Sequence, residues 1–318
     1  MARACKLVST FTPKFKVSVI GCGNVGASAA YAMLIDGTVS ELALVDLDKE
    51  RAEGLVLDFS HALSFWDQVK IEGSDSYDVV KGSHVVVITA GARQKEGETR
   101  LDLVAKNKAI FADMIPKIVK VAPDAILVIV SNPVDVLTYE AQRISGFPHG
   151  RVFGTGTLLD TARFQYHIAQ KLCLSPKSVD AYVLGEHGDS SFPVLSSANV
   201  AGKSLFDFEG FDKKMAEECY KDTQQAAYRI IHDLGYTCYA IGIVIRQVVE
   251  AIYSHAKIVV PLSVVLQDYY GHNDVALSVP CVLDSDGVSE VLQVPLDQKE
   301  QEMLAKSVAT LKEYLGTN

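Results

Sequence analysis

Four short, nearly uninterrupted aliphatic runs constrain this chain more than any other feature: "FKVSVIG" (15–21), "LALVDLD" (42–48), "HVVVITAG" (84–91) and "AILVIVSNP" (125–133). A strand with one face in water alternates apolar and polar side chains, whereas a strand buried on both faces does not. Helix-like stretches, "NVGASAAYAMLID" and "KNKAIFADMIPKIVKVA", lie between the runs. Alternation of this kind predicts an α/β fold: a doubly wound parallel sheet with helices on both faces, joined by right-handed crossovers.

After about residue 150 the rhythm changes. Long helical patterns over 158–172, 212–233 and 238–256 are separated by shorter strand-like pieces such as "VDAYVLGE" and "ALSVPCVL". A second, α+β domain is expected there. The expected division is an amino-terminal arm over 1–14, a nucleotide-binding domain over 15–150 and a substrate-binding, catalytic domain over 151–318. From Gln298 onward, Leu304, Val308, Leu311 and Leu315 share one helical stripe. This predicts an amphipathic closing helix whose apolar face meets core or another subunit rather than a membrane.

A chain of 318 residues, 48% hydrophobic and 22% charged, can bury a core of that size and is not disordered. Its net charge of −9, with the acids scattered, excludes the basic face that nucleic acid requires. The best apolar run, "AIGIVI" (240–245), is stopped by Arg246 and Gln247, far short of the ~18 residues of a membrane span. Cysteines 5, 22, 173, 219, 238 and 281 are widely spaced with no CxxC pair, which favours reduced thiols in the cytoplasm over disulfides or a metal site. The basic start, "MARACKLVSTFTPKFK", lacks an apolar signal core and reads as an exposed arm rather than a targeting peptide.

The first strand runs into Gly21, Gly23 and Gly26, a GxGxxG pattern that opens an alanine-rich helix. The first glycine permits the tight turn, the second lets a pyrophosphate approach the backbone, and the third lets helix and strand pack closely. Phosphates would then face the free N–H groups at Asn24, Val25 and Gly26. Asp46 ends the second strand, where an acid accepts the adenosine ribose hydroxyls and repels a 2′-phosphate. The expected cofactor is therefore NAD, in a domain of the Rossmann type, with Arg93 beside its phosphates.

His187 sits in the glycine-flanked turn "LGEHGDSS", and "LDTARF" places Asp160 and Arg163 three residues apart on one helix face. An aspartate on the ring of His187 would fix its tautomer and stabilise the imidazolium. Arg163 could present a planar fork to a carboxylate, or could form an ordinary pair with Asp160.

Taken together, "TAGARQKEGETRLDLV", "IVSNPVDVLTY", "LDTARF", "LGEHGDSS" and "GYTCYAIG" follow the glycine fingerprint in the order and spacing of the 2-hydroxy-acid dehydrogenases. The chain resembles that family essentially end to end, and within it the lactate dehydrogenase branch. The resemblance implies that His187 is the acid/base, Asp160 its partner and Arg163 the anchor of the substrate carboxylate. It implies that Arg100 lies on a mobile loop and polarises the ketone, that Asn132 bonds the substrate oxygen beside the cofactor, and that Thr237 lines the substrate pocket. Tyr239 departs from the tryptophan of many relatives.

The expected reaction is reversible reduction of pyruvate to L-lactate by NADH. Malate dehydrogenases, the alternative, resemble this chain but carry arginine at Gln94, because oxaloacetate brings a second carboxylate. An unpaired charge in a closed pocket is costly, so Gln94 favours a neutral substrate side chain, pyruvate first and a bulkier 2-keto acid as the alternative. A chain that binds NAD without turnover is the other alternative, disfavoured because His187, Asp160, Arg163 and Arg100 are all present. Relatives activated by fructose bisphosphate carry arginine and histidine where this chain has Gln165 and Asp180, so no such activation is expected. Relatives are usually tetramers, and a homotetramer is expected, with no metal, nucleic-acid or membrane partner.

Overall fold

A computed structural model describes residues 14–65, 68–93 and 97–316; of Arg100 only the backbone is described. The expected arm, apart from Lys14, and Gln94 lie outside the described residues.

The first half alternates as its sequence predicts: β1 (Lys16–Ile20), α1 (Asn24–Asp36), β2 (Glu41–Val45), α2 (Lys49–Ala62), β3 (Lys70–Ser74), β4 (Val85–Ile88), α3 (Arg100–Val121), β5 (Ile126–Ile129), α4 (Val134–Ser145) and β6 (Val152–Gly154). These six strands pair in parallel in the order β3-β2-β1-β4-β5-β6. The order reverses between β1 and β4, which opens a crevice beyond their carboxyl ends. The apolar runs are explained by burial on both faces. Val85 and Val87 join the core under α1, while Val86 and Ile88 join the core under α3 and α4.

The helix α3 starts earlier than the apolar pattern from 106 suggests. Thr99 Oγ1 accepts the Asp102 N–H and Asp102 accepts the Thr99 N–H, a reciprocal cap that satisfies two of the free donors of the first turn. The edge strand β3 has no counterpart among the sequence runs, because its residues "KIEGS" are largely polar and carry no strong period.

The second half contains α5 (Leu158–Leu172), β7 (Val179–Leu184), β8 (Phe192–Val200), β9 (Lys203–Ser204), α6 (Lys213–Leu234), α7 (Tyr239–Tyr253), β10 (Ile258–Val265), β11 (Ala276–Asp284), β12 (Gly287–Val291) and α8 (Gln298–Leu315). Strands β7, β8 and β9 form a small antiparallel sheet on which α5 and α6 pack around Phe164, Ile168 and Cys219. Strands β10, β11 and β12 instead extend the first sheet, because β10 pairs antiparallel with β6 through Ser263 and Gly154. One sheet of nine strands thus runs through both halves.

The closing helix α8 buries Leu304, Val308 and Leu311, so its stripe is core, as one of the two expected readings holds. Burial of each such side chain contributes on the order of 2 kcal/mol. Among the described residues no helix is long and apolar enough to cross a membrane, and no cluster of His, Cys, Asp and Glu is arranged to hold a metal.

Candidate active site

The turn after β1 is shaped by what its glycines leave out. Gly21 has φ +97°, and a Cβ there would meet the Ala90 backbone at 2.7 Å. A Cβ on Gly26 would collide with the Gly21 carbonyl oxygen, so the third glycine is required for α1 to seat against the turn. Gly23 has open space on its Cβ side. It caps α1 without a side-chain partner, and the first turn of α1 carries no acid. Free N–H groups at Asn24, Val25 and Gly26 therefore form an uncompensated positive helix end.

Around this turn lies a cavity of about 750 Å³, lined by Gly21, Gly23, Asn24, Asp46, Tyr77 and Arg93 among others. Asp46 is half-buried: its Oδ2 accepts the Cys22 N–H at 2.6 Å and its Oδ1 the Asp48 N–H at 2.9 Å. The carboxylate is held at the end of β2 with lone pairs left for ribose hydroxyls. Burial, then the charge of Asp46, pushes the Cys22 thiol up to about 12, so it stays a neutral wall of this cavity. A helix end for phosphates, room for them at Gly23 and an acid for the ribose fit an NAD-type dinucleotide.

The second cluster assembles at the carboxyl edge of the same sheet. His187 Nδ1 lies 2.7 Å from Asp160 Oδ2, and Arg163 Nη1 donates to Asp160 Oδ1 at 3.1 Å. Both Asp160 and Arg163 are largely buried, with side chains 17% and 13% exposed, so theirs is no ordinary surface pair. Burial opposes ionisation of Asp160, but the charge and hydrogen bond of His187, with those of Arg163, outweigh it and hold the carboxyl below its usual range. Burial likewise disfavours the imidazolium of His187, but Asp160 and then Asp135 outweigh it and raise the ring above its usual value. With Nδ1 engaged, Nε2 is the nitrogen left for substrate.

Asn132 is exposed just past β5, next to a cis peptide bond to Pro133. Its carbonyl accepts the Asn107 Nδ2 amide at 2.7 Å, and Asn107 Oδ1 also accepts the Ala92 N–H at 2.7 Å. The buried Asn107 of α3 thus ties the segment leading to Arg93 to the expected substrate-binding asparagine. Thr237 is half-buried just before α7. That helix packs so closely on α1 that a Cβ on Gly242 would lie 3.0 Å from Ser28.

Several residues of the site are absent from the sequence reading. Asp135, in the first turn of α4, accepts the His187 N–H at 2.7 Å and the Ser263 hydroxyl at 2.6 Å. Ser307 of α8 accepts the Glu186 N–H at 2.6 Å. Ser278 pairs through its backbone with Gly185 and through its Oγ accepts the Thr157 N–H. The only local signal for Asp135 is an acid in a helix first turn, which reads as a dipole partner. Nothing local marks Ser307 or Ser278. Gln165 donates to the Ala181 carbonyl and Asp180 is exposed.

Comparison with known proteins covers nearly the whole chain. Residues 15–154 match the family model described as lactate/malate dehydrogenase, NAD binding domain. Residues 157–317 match that described as lactate/malate dehydrogenase, alpha/beta C-terminal domain. An L-lactate dehydrogenase of Clostridium botulinum (strain Hall) is 42% identical over 95% of this chain and 96% of its own length. L-lactate dehydrogenase 1 of Clostridium acetobutylicum is 41% identical over 95% of this chain and 98% of its own. The crystal structure of the minor L-lactate dehydrogenase of Enterococcus mundtii superposes with a TM-score of 0.92 at 38% identity, covering 96% of this chain and 98% of that one. With a dinucleotide cradle in one half and a histidine–aspartate–arginine cluster in the other, the chain belongs to the lactate/malate dehydrogenase family.

Proposed function

We propose that this protein is an NAD-dependent L-lactate dehydrogenase, interconverting pyruvate and L-lactate. The observation that carries the reading is the His187–Asp160–Arg163 cluster, set on the sheet edge that also bears the dinucleotide cradle. The relatives, named L-lactate dehydrogenases, support the substrate assignment.

When bound, the nicotinamide supplies the hydride to the carbonyl carbon of pyruvate and takes it back from lactate. In reduction, protonated His187 gives its Nε2 proton to the keto oxygen; in oxidation, neutral His187 receives it. Asp160 steadies the imidazolium and fixes its orientation through Nδ1. Arg163 uses the guanidinium edge not bonded to Asp160 for the substrate carboxylate. By resemblance, Arg100 polarises the ketone, Asn132 bonds its oxygen, Thr237 lines the pocket, and Arg93 meets the cofactor phosphates. Gly21, Gly23, Asn24, Val25, Gly26 and Asp46 hold the dinucleotide.

Gln94 sets the substrate, since an arginine there would pair with the second carboxylate of oxaloacetate. The test is NADH consumption with pyruvate and with oxaloacetate, in wild type and Gln94→Arg. Wild type is expected to prefer pyruvate, and the variant to shift the ratio toward oxaloacetate by about 100-fold or more. Equal or faster turnover of oxaloacetate by wild type overturns the lactate reading in favour of malate.

The assembly we infer is a homotetramer in the cytoplasm. Ile35 of α1, Leu57 of α2, and Tyr239 and Ile243 of α7 are each more than half exposed in the single chain, which supports burial against another copy. All five described cysteines are free thiols, which suits a reducing compartment.

A further inference from the structure

The acid/base turn is held by a second carboxylate. Asp135 is 2% exposed, and among the described residues neither oxygen meets a cation: Oδ2 accepts the His187 backbone N–H and Oδ1 the Ser263 hydroxyl. These bonds join the first turn of α4, the strand β10 and the loop after β7. The groups that face this arrangement are few. They are Asp160 and Arg163 from α5, Ser263 from β10, and Glu186 beside His187 itself.

A buried carboxylate with two neutral donors is an expensive way to tie segments together. An asparagine could accept the same N–H and turn its amide to the serine oxygen. Burial, above all, pushes the Asp135 carboxyl up to about 6, against the lowering effect of its two hydrogen bonds and of His187. A group raised in this way is best tolerated when protonated, so folding loses stability as pH rises from the ordinary carboxylate range through that value. Yet both of its oxygens are met by donors, a backbone N–H and a hydroxyl, the setting of an acceptor. A function that needs the charge, not merely the shape, accounts for it.

We propose that Asp135 is a positioning residue for the acid/base, fixing the His187 backbone and supplying, with Asp160, a second negative charge to its imidazolium. This rests on the reading of His187 as the proton donor, and extends it. Asp135 does not touch substrate. It acts through His187, raising the pH up to which the ring stays protonated and holding the ring where Asp160 can meet Nδ1.

The test compares wild type with Asp135→Asn, Asp135→Ala, Ser263→Ala and His187→Gln. In Asp135→Asn the His187 titration, followed by nitrogen NMR of the imidazole without substrate, is expected to move down by about half to one pH unit. The midpoint at which pyruvate reduction is lost should move with it, and lactate oxidation should begin at lower pH. Thermal stability of this variant at pH 7.5 should equal or exceed that of wild type. Asp135→Ala loses the anchor and is expected to lower kcat about 10- to 100-fold, with NADH affinity unaltered. Ser263→Ala withdraws one donor, favours protonation of Asp135, and should shift the midpoint in the same direction by less.

An unmoved imidazole titration in Asp135→Asn overturns the proposal, as does a loss of stability with an unchanged pH profile, the mark of a merely structural tie. Should Asp135→Ala not fold, the Asn and Ser263 variants decide alone. Activity of His187→Gln equal to that of wild type would defeat the reading of His187 instead, while the NMR titration would still test the Asp135 charge.

Discussion

The two turns proposed to hold the cofactor and the proton donor are built on opposite principles. Gly21 to Gly26 is a turn of omissions, where side chains are missing so that backbone and ligand can approach, and its few ties come from neighbouring strand ends such as Thr89 and Asp46. Gly185 to Gly188 is a turn of attachments: Asp135, Asp160, Ser278 and Ser307 each grip it from another element. Recognising a cofactor's phosphates requires space and N–H groups, which local backbone supplies. Placing a proton donor requires one ring in one orientation, which only convergent contacts supply.

The comparison is broken most directly at its most gripped residue. His187→Gln keeps the turn's backbone ties but removes the transferable proton, so kcat/KM for pyruvate should fall about 10²- to 10⁴-fold with NADH binding retained. Fluorescence titration with NADH beside steady-state rates would separate the two. A matching loss of NADH affinity would mean that the turns are not independent.

Gly26→Ala attacks the other turn, whose added methyl collides with the Gly21 carbonyl. Forced displacement should cost about 1–3 kcal/mol of stability and about tenfold or more in NADH affinity, measured by calorimetry and fluorescence. Unchanged NADH affinity would show that the turn tolerates side chains and that its glycines are not needed as omissions.

A smaller effect is expected from Ser307→Ala, which leaves the Glu186 N–H without its acceptor on α8. The loss of one buried partner should cost about 1–3 kcal/mol, read as a lower Tm. A few-fold fall in kcat should accompany it if the attachments act jointly.

The smallest shift is in pH. Asp160, with Asp135, raises His187 above its ordinary value. With His187 as the proposed proton donor, pyruvate reduction should decline as pH rises through a midpoint above that of free histidine. Lactate oxidation should rise through the same group. A reduction midpoint below that of free histidine would place the ring in a net positive setting and reverse the argument.

The same contrast explains what could be read from the sequence. The cradle was legible because its parts are neighbours: strand, three glycines, helix, then an acid at the end of the next strand. The proton site was legible only in outline. Asp160 and Arg163 share a helix turn, but their meeting with His187 was carried by resemblance, not by spacing. Asp135 and Ser307 went unread because they reach His187 and Glu186 across 52 and 121 residues of chain, a separation no local pattern records. The start of α3 escapes the apolar pattern for a related reason: it is marked by a polar cap, not by apolar periodicity.

The continuity of the sheet through β6 and β10 has a consequence for timing. The dinucleotide cradle lies on this nine-stranded sheet, and the turn that carries His187 is hydrogen-bonded to the same sheet through the backbone pair of Gly185 with Ser278 of β11. Their mutual distance is settled once, when the chain folds, rather than searched for in every catalytic cycle. Part of the entropy of bringing two reactive centres into line is then borne by folding, and each turnover has only to seat the dinucleotide and the substrate on sites already in register.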